Sequence, residues 1–377
     1  MGAWPPGART TAVDPADQQL RGVEVEDVAL SGGDPGITLC GVALRRRRES
    51  VANDTSLSVK SKQHDPSTVV VYFQGGTDLT QVIRRETDPR FTLRAGNMGS
   101  CVSRLPLFAH LLSSPLSPLS SGQTLILAVC PRSYYLSTNV RPTQVGLTRD
   151  YMAVLAHAQR AHPASRIVVY GHSLGGTAAC CLLGSIPDQD RSILGDPECT
   201  GAEPLELLKP PDALILENPF PSVPLMIERS LYRSRWLPYH FLSPFVLDVW
   251  DASAALGQAR GSLLGRTPVL FISGEDDTLV LPELVREMYE VAVRSDANAG
   301  LPADESSQIA GASDRPTTNG AVGSLRRWLS IPNAHHDNTW TLARPWGQGV
   351  RSFLAEVEAV SREEADTPGD VGRGGDA

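Results

Sequence analysis

Five short runs constrain this chain more than any other feature: Thr68–Phe73 (TVVVYF), Thr124–Val129 (TLILAV), Arg166–Tyr170 (RIVVY), Ala213–Glu217 (ALILE) and Pro268–Ser273 (PVLFIS). Each is apolar on both faces and rich in β-branched or aliphatic residues. Runs of that kind suit the central strands of a parallel sheet covered on both sides. Helical patterns fall between or after them, at Leu147–Ala161, Leu174–Leu183, Pro282–Val293 and Val350–Val360. Alternating strand and helix predicts an α/β fold with a mostly parallel sheet flanked by helices. Ahead of them, Val23–Leu44 alternates loosely around the Gly/Asp/Pro punctuation of Ser31–Gly36 and predicts an antiparallel hairpin.

The 377 residues are therefore expected to form one large α/β domain over residues 21–360 with long excursions. Residues 1–20 read as a disordered arm and 361–377 as a disordered tail. Arg45–Arg48 begins a polar stretch, read as a solvated loop. Within the domain, 77–95 is a charged insertion. Residues 219–264 are rich in aromatics, prolines and arginines and are expected to form a cap. Residues 295–323 are Ala/Ser/Asp/Gly-rich and read as a flexible loop.

Composition narrows the function classes. A net charge of −8 argues against a general nucleic-acid binder. No apolar run reaches the ~20 residues of a membrane-spanning helix, and the N-terminus lacks the apolar core of a secretory signal. The expected location is the cytoplasm or a peripheral position at a membrane. Six cysteines without a CxxC do not suggest a disulfide scaffold or zinc; the adjacent Cys180 and Cys181 are expected to pack as small apolar side chains. The sequon Asn53-Asp54-Thr55 matters only for a secreted protein.

The chemistry centres on Gly171-His172-Ser173-Leu174-Gly175, a GxSxG motif that follows RIVVY and opens the helical run at Leu174. A serine on a sharp strand-to-helix turn exposes its hydroxyl at the carboxyl ends of the strands, where open α/β sheets bind ligands. Gly171 and Gly175 let strand and helix approach. The first helical N–H, on Leu174, is expected to face a developing oxyanion. A serine nucleophile needs a base, and the base needs an orienter, in the chain order Ser, acid, His. PVLFIS runs into Gly274-Glu275-Asp276-Asp277, so Asp277 is the expected acid, with Asp276 as runner-up and Glu275 behind both. His335 and His336 are the only histidines after these acids. A metal site on His335, His336 and Asp337 is set aside, because adjacent histidines do not easily face one ion. No metal or cofactor is expected. Phe73-Gln74-Gly75-Gly76 follows an early strand where a second oxyanion donor belongs, and the Gly76 N–H is the expected donor.

With these residues in place, the sequence resembles the α/β-hydrolase superfamily, and within it the BEM46-like group that includes α/β-hydrolase domain-containing proteins 12 and 13. GHSLGG (Gly171–Gly176) matches the superfamily's nucleophile turn. SGEDDTLVLPE (Ser273–Glu283) resembles the group's strand-then-acid segment and implies Asp277. HDNTW (His336–Trp340) implies His336 over His335. ENPFPSVPLM (Glu217–Met226) resembles the lead into its cap. The group usually carries His-Gly-Asn where this chain has Gln74-Gly75-Gly76, and its continuation reappears at Gly96-Asn97-Met98-Gly99-Ser100 and Arg104-Leu105-Pro106. Residues 77–95 therefore read as an insertion, and the region of Gly96-Asn97 is the alternative oxyanion donor. An apolar anchor common at the start of relatives is missing from these residues, which implies either a soluble protein or an incomplete start. The resemblance implies a serine hydrolase of lipid esters or palmitoyl-type thioesters. A serine aminopeptidase-like peptidase and a non-catalytic scaffold are the alternatives.

Overall fold

The computed structural model describes residues 20–47, 65–75, 100–114, 117, 119, 123–188, 208–231, 246–298 and 325–366. The insertion at 77–95, Gly76, Gly96-Asn97, the sequon, residues 232–245 of the cap and most of 295–323 lie outside them. So do the N-terminal arm up to residue 19 and the tail from residue 367.

All five apolar runs are strands of one eight-stranded sheet in the order β1-β2-β4-β3-β5-β6-β7-β8. The hairpin β1 (Val23–Ser31) and β2 (Thr38–Arg46) is antiparallel, and β2 is also antiparallel to β4. Strands β3 (Thr68–Phe73), β4 (Thr124–Val129), β5 (Arg166–His172), β6 (Ala213–Glu217), β7 (Val269–Gly274) and β8 (Arg326–Ile331) run parallel. Every residue of β3, β6 and β7 is buried, which is why these runs read as continuous apolar stretches. The chain passes from β3 outward to β4 and then back across β3 to β5. That reversal puts the topological switch point between the carboxyl ends of β3 and β5.

The helices are α1 (Leu105–Ser113), α2 (Gln144–Ala161), α3 (Leu174–Ser185), the short α4 (Val223–Met226), α5 (Ala252–Gly257) and α6 (Leu263–Arg266), then α7 (Pro282–Asn298) and α8 (Ala343–Asp366). α2 begins three residues before the expected start because Thr143 caps it, its side chain accepting from the Gly146 N–H at 3.2 Å. Other expected boundaries shift as well. β2 continues through Arg45 and Arg46, where a loop was expected, because Arg45 pairs with Glu24 and Glu26 of the facing strand. α7 runs to Asn298, into the segment read as a flexible loop, and α8 runs to Asp366, beyond the expected start of the tail. Cys180 is fully buried in α3 and Cys181 half-buried beside it.

A buried ion pair fastens the hairpin to this frame. Arg132 donates from Nε and Nη2 to the Asp150 carboxylate of α2 at 2.8 and 2.7 Å. The same Nη2 lies 2.7 Å from Asp34 in the β1–β2 turn. No helix among the described residues is long and apolar enough to cross a membrane.

Candidate active site

Ser173 sits between β5 and α3 with φ 51° and ψ −123°. A positive φ is costly for a residue with a side chain and persists only where its surroundings impose it. Here glycines impose it. A Cβ on Gly175 would stand 2.1 Å from the Phe73 carbonyl oxygen, and one on Gly171 would stand 2.6 Å from Gly176 Cα. Strand, turn and helix can approach this closely only with hydrogen at those positions. The Ser173 N–H is anchored on the Glu217 carbonyl at 2.9 Å. As the first residue of α3, Leu174 has an N–H with no acceptor inside the helix.

The loop after β3 reaches the same point. A Cβ on Gly75 would lie 3.3 Å from Ser173 Cβ, so the glycine's backbone passes directly against the turn. Tyr151 of α2 holds this loop by donating to the Gln74 carbonyl at 3.1 Å and by stacking on Phe73. Gln74 itself is buried, its side-chain carbonyl accepting from Cys130 Sγ at 3.0 Å. Gly76, the expected second donor, is outside the described residues.

Asp277 and His336 meet across the ends of β7 and β8. His336 Nδ1 donates to Asp277 Oδ2 at 2.7 Å, and both residues are buried. The other carboxylate oxygen accepts the Leu279 and Val280 N–H groups at 2.8 and 2.9 Å. Burial pulls the His336 imidazole down, but the hydrogen bond and charge of Asp277 outweigh it and leave His336 raised above its ordinary value. The runners-up sit elsewhere. Asp276 and His335 are exposed, and His335 Nδ1 donates to the Asp276 carbonyl at 2.9 Å.

Ser173, Leu174 and His336 line one cleft of about 420 Å³, whose walls include Tyr134, Leu147, Phe220, Met226, Leu247 and Trp250. A larger cavity of about 460 Å³, beside Arg160, His162 and Lys209, opens at the opposite ends of the strands and holds none of these residues.

Several residues of this site were not singled out in the sequence. Asn218, just past β6, is fully buried at φ 47°. Its Nδ2 donates to the His336 carbonyl at 2.7 Å, and its Oδ1 accepts the Gly274 N–H at 2.9 Å. The adjacent Glu217 accepts from the Tyr170 hydroxyl at 3.1 Å and from the Thr339 hydroxyl; burial pushes its carboxyl up. His172 Nε2 donates to the His336 carbonyl at 3.0 Å. Burial, and then the charge of Arg104, hold the His172 imidazole well below its ordinary value. Their one visible signal was position, since Glu217, Asn218 and His172 stand at strand ends, on the same crevice as Ser173.

His172, His336 and Asp337 bring potential ligand atoms within 4.8 Å of one another. The Arg104 guanidinium takes the place a cation would hold there, with Nη2 2.7 Å from both His172 Nδ1 and Asp337 Oδ1.

The strand order with an antiparallel β2, the strained serine between β5 and α3, and the Asp277–His336 pair define an α/β-hydrolase fold. Protein bem46 of Schizosaccharomyces pombe is 28% identical over 242 residues, 63% of this chain and 60% of that protein. The chain is similar in sequence to the BEM46-like α/β-hydrolases. The lysophosphatidylserine lipase ABHD12 of Danio rerio is 27% identical over 158 residues, 41% of this chain and 36% of that protein. The chain thus spans less than two thirds of these relatives' own lengths. Among solved structures, the Pyrococcus horikoshii acylaminoacyl peptidase shares the fold, with a TM-score of 0.50 at 12% identity, over 90% of this chain and 42% of that one. No family model matches the sequence.

Proposed function

We propose that this BEM46-like hydrolase is a serine hydrolase of carboxylic esters or thioesters, built as one domain around one site. Ser173 is the nucleophile, His336 the general base and Asp277 the residue that orients it. The observation that carries this reading is the buried 2.7 Å hydrogen bond from His336 Nδ1 to Asp277, in a protein whose Ser173 and His336 line the same cleft. With Nδ1–H committed to the carboxylate, Nε2 is the nitrogen free to take a proton.

In the first half-reaction His336 takes the Ser173 proton as Oγ attacks the acyl carbon. The Leu174 N–H and a donor from the loop after β3 stabilise the oxyanion. The tetrahedral species collapses, His336 protonates the departing alcohol or thiol, and the acyl group stays on Ser173. In the second half-reaction water gives its proton to His336 as it attacks the acyl carbon. Collapse releases the carboxylic acid and returns the proton to Ser173.

The apolar cleft walls suit an acyl chain, and similarity to the lysophosphatidylserine lipase ABHD12 of Danio rerio supports a lipid ester as the substrate class. A peripheral contact with a lipid surface belongs to the same proposal.

The test uses a fluorophosphonate probe and p-nitrophenyl esters of increasing chain length, with Ser173→Ala as the blank. Wild type is expected to label and turn over, and the variant to lose both. Full labelling and turnover by Ser173→Ala would overturn the assignment. A folded wild type that neither labels nor turns over would make the chain a scaffold.

A further inference from the structure

We infer that Arg104 is a positioning residue for His336: its buried guanidinium clamps the His336-Asp337 segment and holds a fixed positive charge beside the imidazole. The inference rests on the proposed role of His336 as base.

Arg104 ends the turn Cys101–Arg104 and precedes α1, far in sequence from every other residue of the site. Its side chain is only 11% exposed. Nη1 donates to the Asp337 carbonyl at 3.0 Å, and Nη2 donates to Asp337 Oδ1 at 2.7 Å. One guanidinium thus grips the backbone and the side chain of the residue after His336. Nη2 also lies within 2.7 Å of both ring nitrogens of His172. Because His172 Nε2 donates to the His336 carbonyl, Nδ1 is the ring nitrogen left to accept from Arg104. The clamp therefore reaches the backbone on both sides of the peptide bond between His336 and Asp337. A rigid fork can serve these separate acceptors at once, and a lysine ammonium cannot reproduce it.

The charge has its own consequence. The groups facing His336 are Asp277 after β7, Asp337 on its own segment, Arg104 before α1 and His172 at the end of β5; Glu217, at the end of β6, reaches the segment through Thr339. Asp337 is half-exposed at the rim of the cleft, and it favours the imidazolium, whereas Arg104 opposes it. By pairing with Asp337, Arg104 blunts a second carboxylate beside a base that already has Asp277. Too stable an imidazolium would keep His336 protonated and unable to accept from Ser173.

Two substitutions must then move His336 in opposite directions. Arg104→Gln removes the positive charge and frees Asp337, so the imidazole is expected to titrate about one pH unit higher. Asp337→Asn, at a half-exposed position, is expected to move it lower. Arg104→Lys is expected to leave the titration near that of wild type while lowering kcat several-fold at unchanged KM, through the lost clamp. The readout is NMR of labelled histidine, with the His336 signal assigned by its loss in His336→Gln, alongside the pH profile of kcat/KM. Opposite shifts of the His336 titration, matched by the acidic limb of the profile, support the inference. An unmoved His336 in folded Arg104→Gln and Asp337→Asn overturns it. Ester turnover surviving in Ser173→Ala would instead overturn the serine-hydrolase reading, and the NMR titration would still report on Arg104 by itself.

Discussion

Asp277 grips His336 with one carboxylate oxygen and its own turn with the other. Oδ2 accepts from His336 Nδ1 at 2.7 Å, while Oδ1 accepts the Leu279 and Val280 N–H groups at 2.8 and 2.9 Å. This division predicts the effect of Asp277→Asn. The amide oxygen must stay on the two backbone donors, so the amide NH2 turns to His336. Nδ1 then has to be an acceptor, the ring proton moves to Nε2, and the base cannot take a proton from Ser173. The variant is expected to fold and bind ligand but to lose about 10⁴-fold in kcat, the scale of a wrong-tautomer triad. Ester kinetics together with a thermal melt check it.

Asn218 plays the same double part from β6. It ties the Gly274 N–H to the His336 carbonyl through its two amide atoms. Asn218→Asp keeps the acceptor for Gly274 and loses the donor to His336. Asn218→Ala loses both, and also places a residue that tolerates left-handed backbone less well at φ 47°. We expect Asn218→Ala to cost about 1–3 kcal/mol in denaturant unfolding for the unsatisfied buried groups. Both variants should lower kcat more than they change KM. A loss of stability with kcat intact in Asn218→Ala would make the residue purely structural.

How much of this was legible in the sequence follows from what each residue needs. Strands β3 to β7 could be read because burial on both faces leaves an unbroken apolar run. β8 could not, because Arg326 and Arg327 open it. Each buried guanidinium is matched by distant groups: Arg326 donates to the Thr267 carbonyl at 2.7 Å and pairs with Asp296, and Arg327 pairs with Glu356 of α8. α1 was hidden by Pro106, which its first turn tolerates because no N–H is required there. Ser173 and Asp277 could be proposed because each follows a legible strand in a recognisable order, whereas the residues left His335 and His336 open and only the resemblance of HDNTW favoured His336. Arg104 and Asn218 could not, since their roles lie in hydrogen bonds to a segment 233 and 118 residues away.

The glycines of the turn can be tested by stability. A Cβ on Gly175 would sit 2.1 Å from the Phe73 carbonyl oxygen and 2.5 Å from that of Gln74, both backbone atoms that cannot rotate away. Gly175→Ala must push the end of β3 and its loop off the Ser173 turn. We expect a loss of about 1–3 kcal/mol, the usual cost of overpacking, with a larger fractional loss of probe labelling than of folded protein. Gly257 offers the contrast, since a Cβ there would meet only Val291 Cγ1 at 3.6 Å in helix α5. Gly257→Ala should leave labelling intact and the unfolding midpoint equal or higher.

The pH dependence follows from the two histidines, and they act in opposite senses. Asp277 raises His336 above its ordinary value despite burial, so kcat/KM, which needs the neutral base, should fall along an acidic limb centred above about 6.5. In the folding equilibrium the raised group binds its proton more tightly in the native state. Its contribution to stability is full below about 6.5 and is lost as pH rises through the raised native value. His172 is held down by burial and by Arg104, so its contribution is full above about 6.5 and is lost as pH falls toward its lowered native value. Across the acidic limb, activity should therefore climb while the His336 share of stability declines. Denaturant midpoints of wild type and His336→Gln, measured on both sides of the limb, separate that share from the His172 background. The difference between the two proteins should be largest at the acidic end and shrink toward high pH. A difference that grows with pH would mean that His336 is held neutral rather than primed to take a proton.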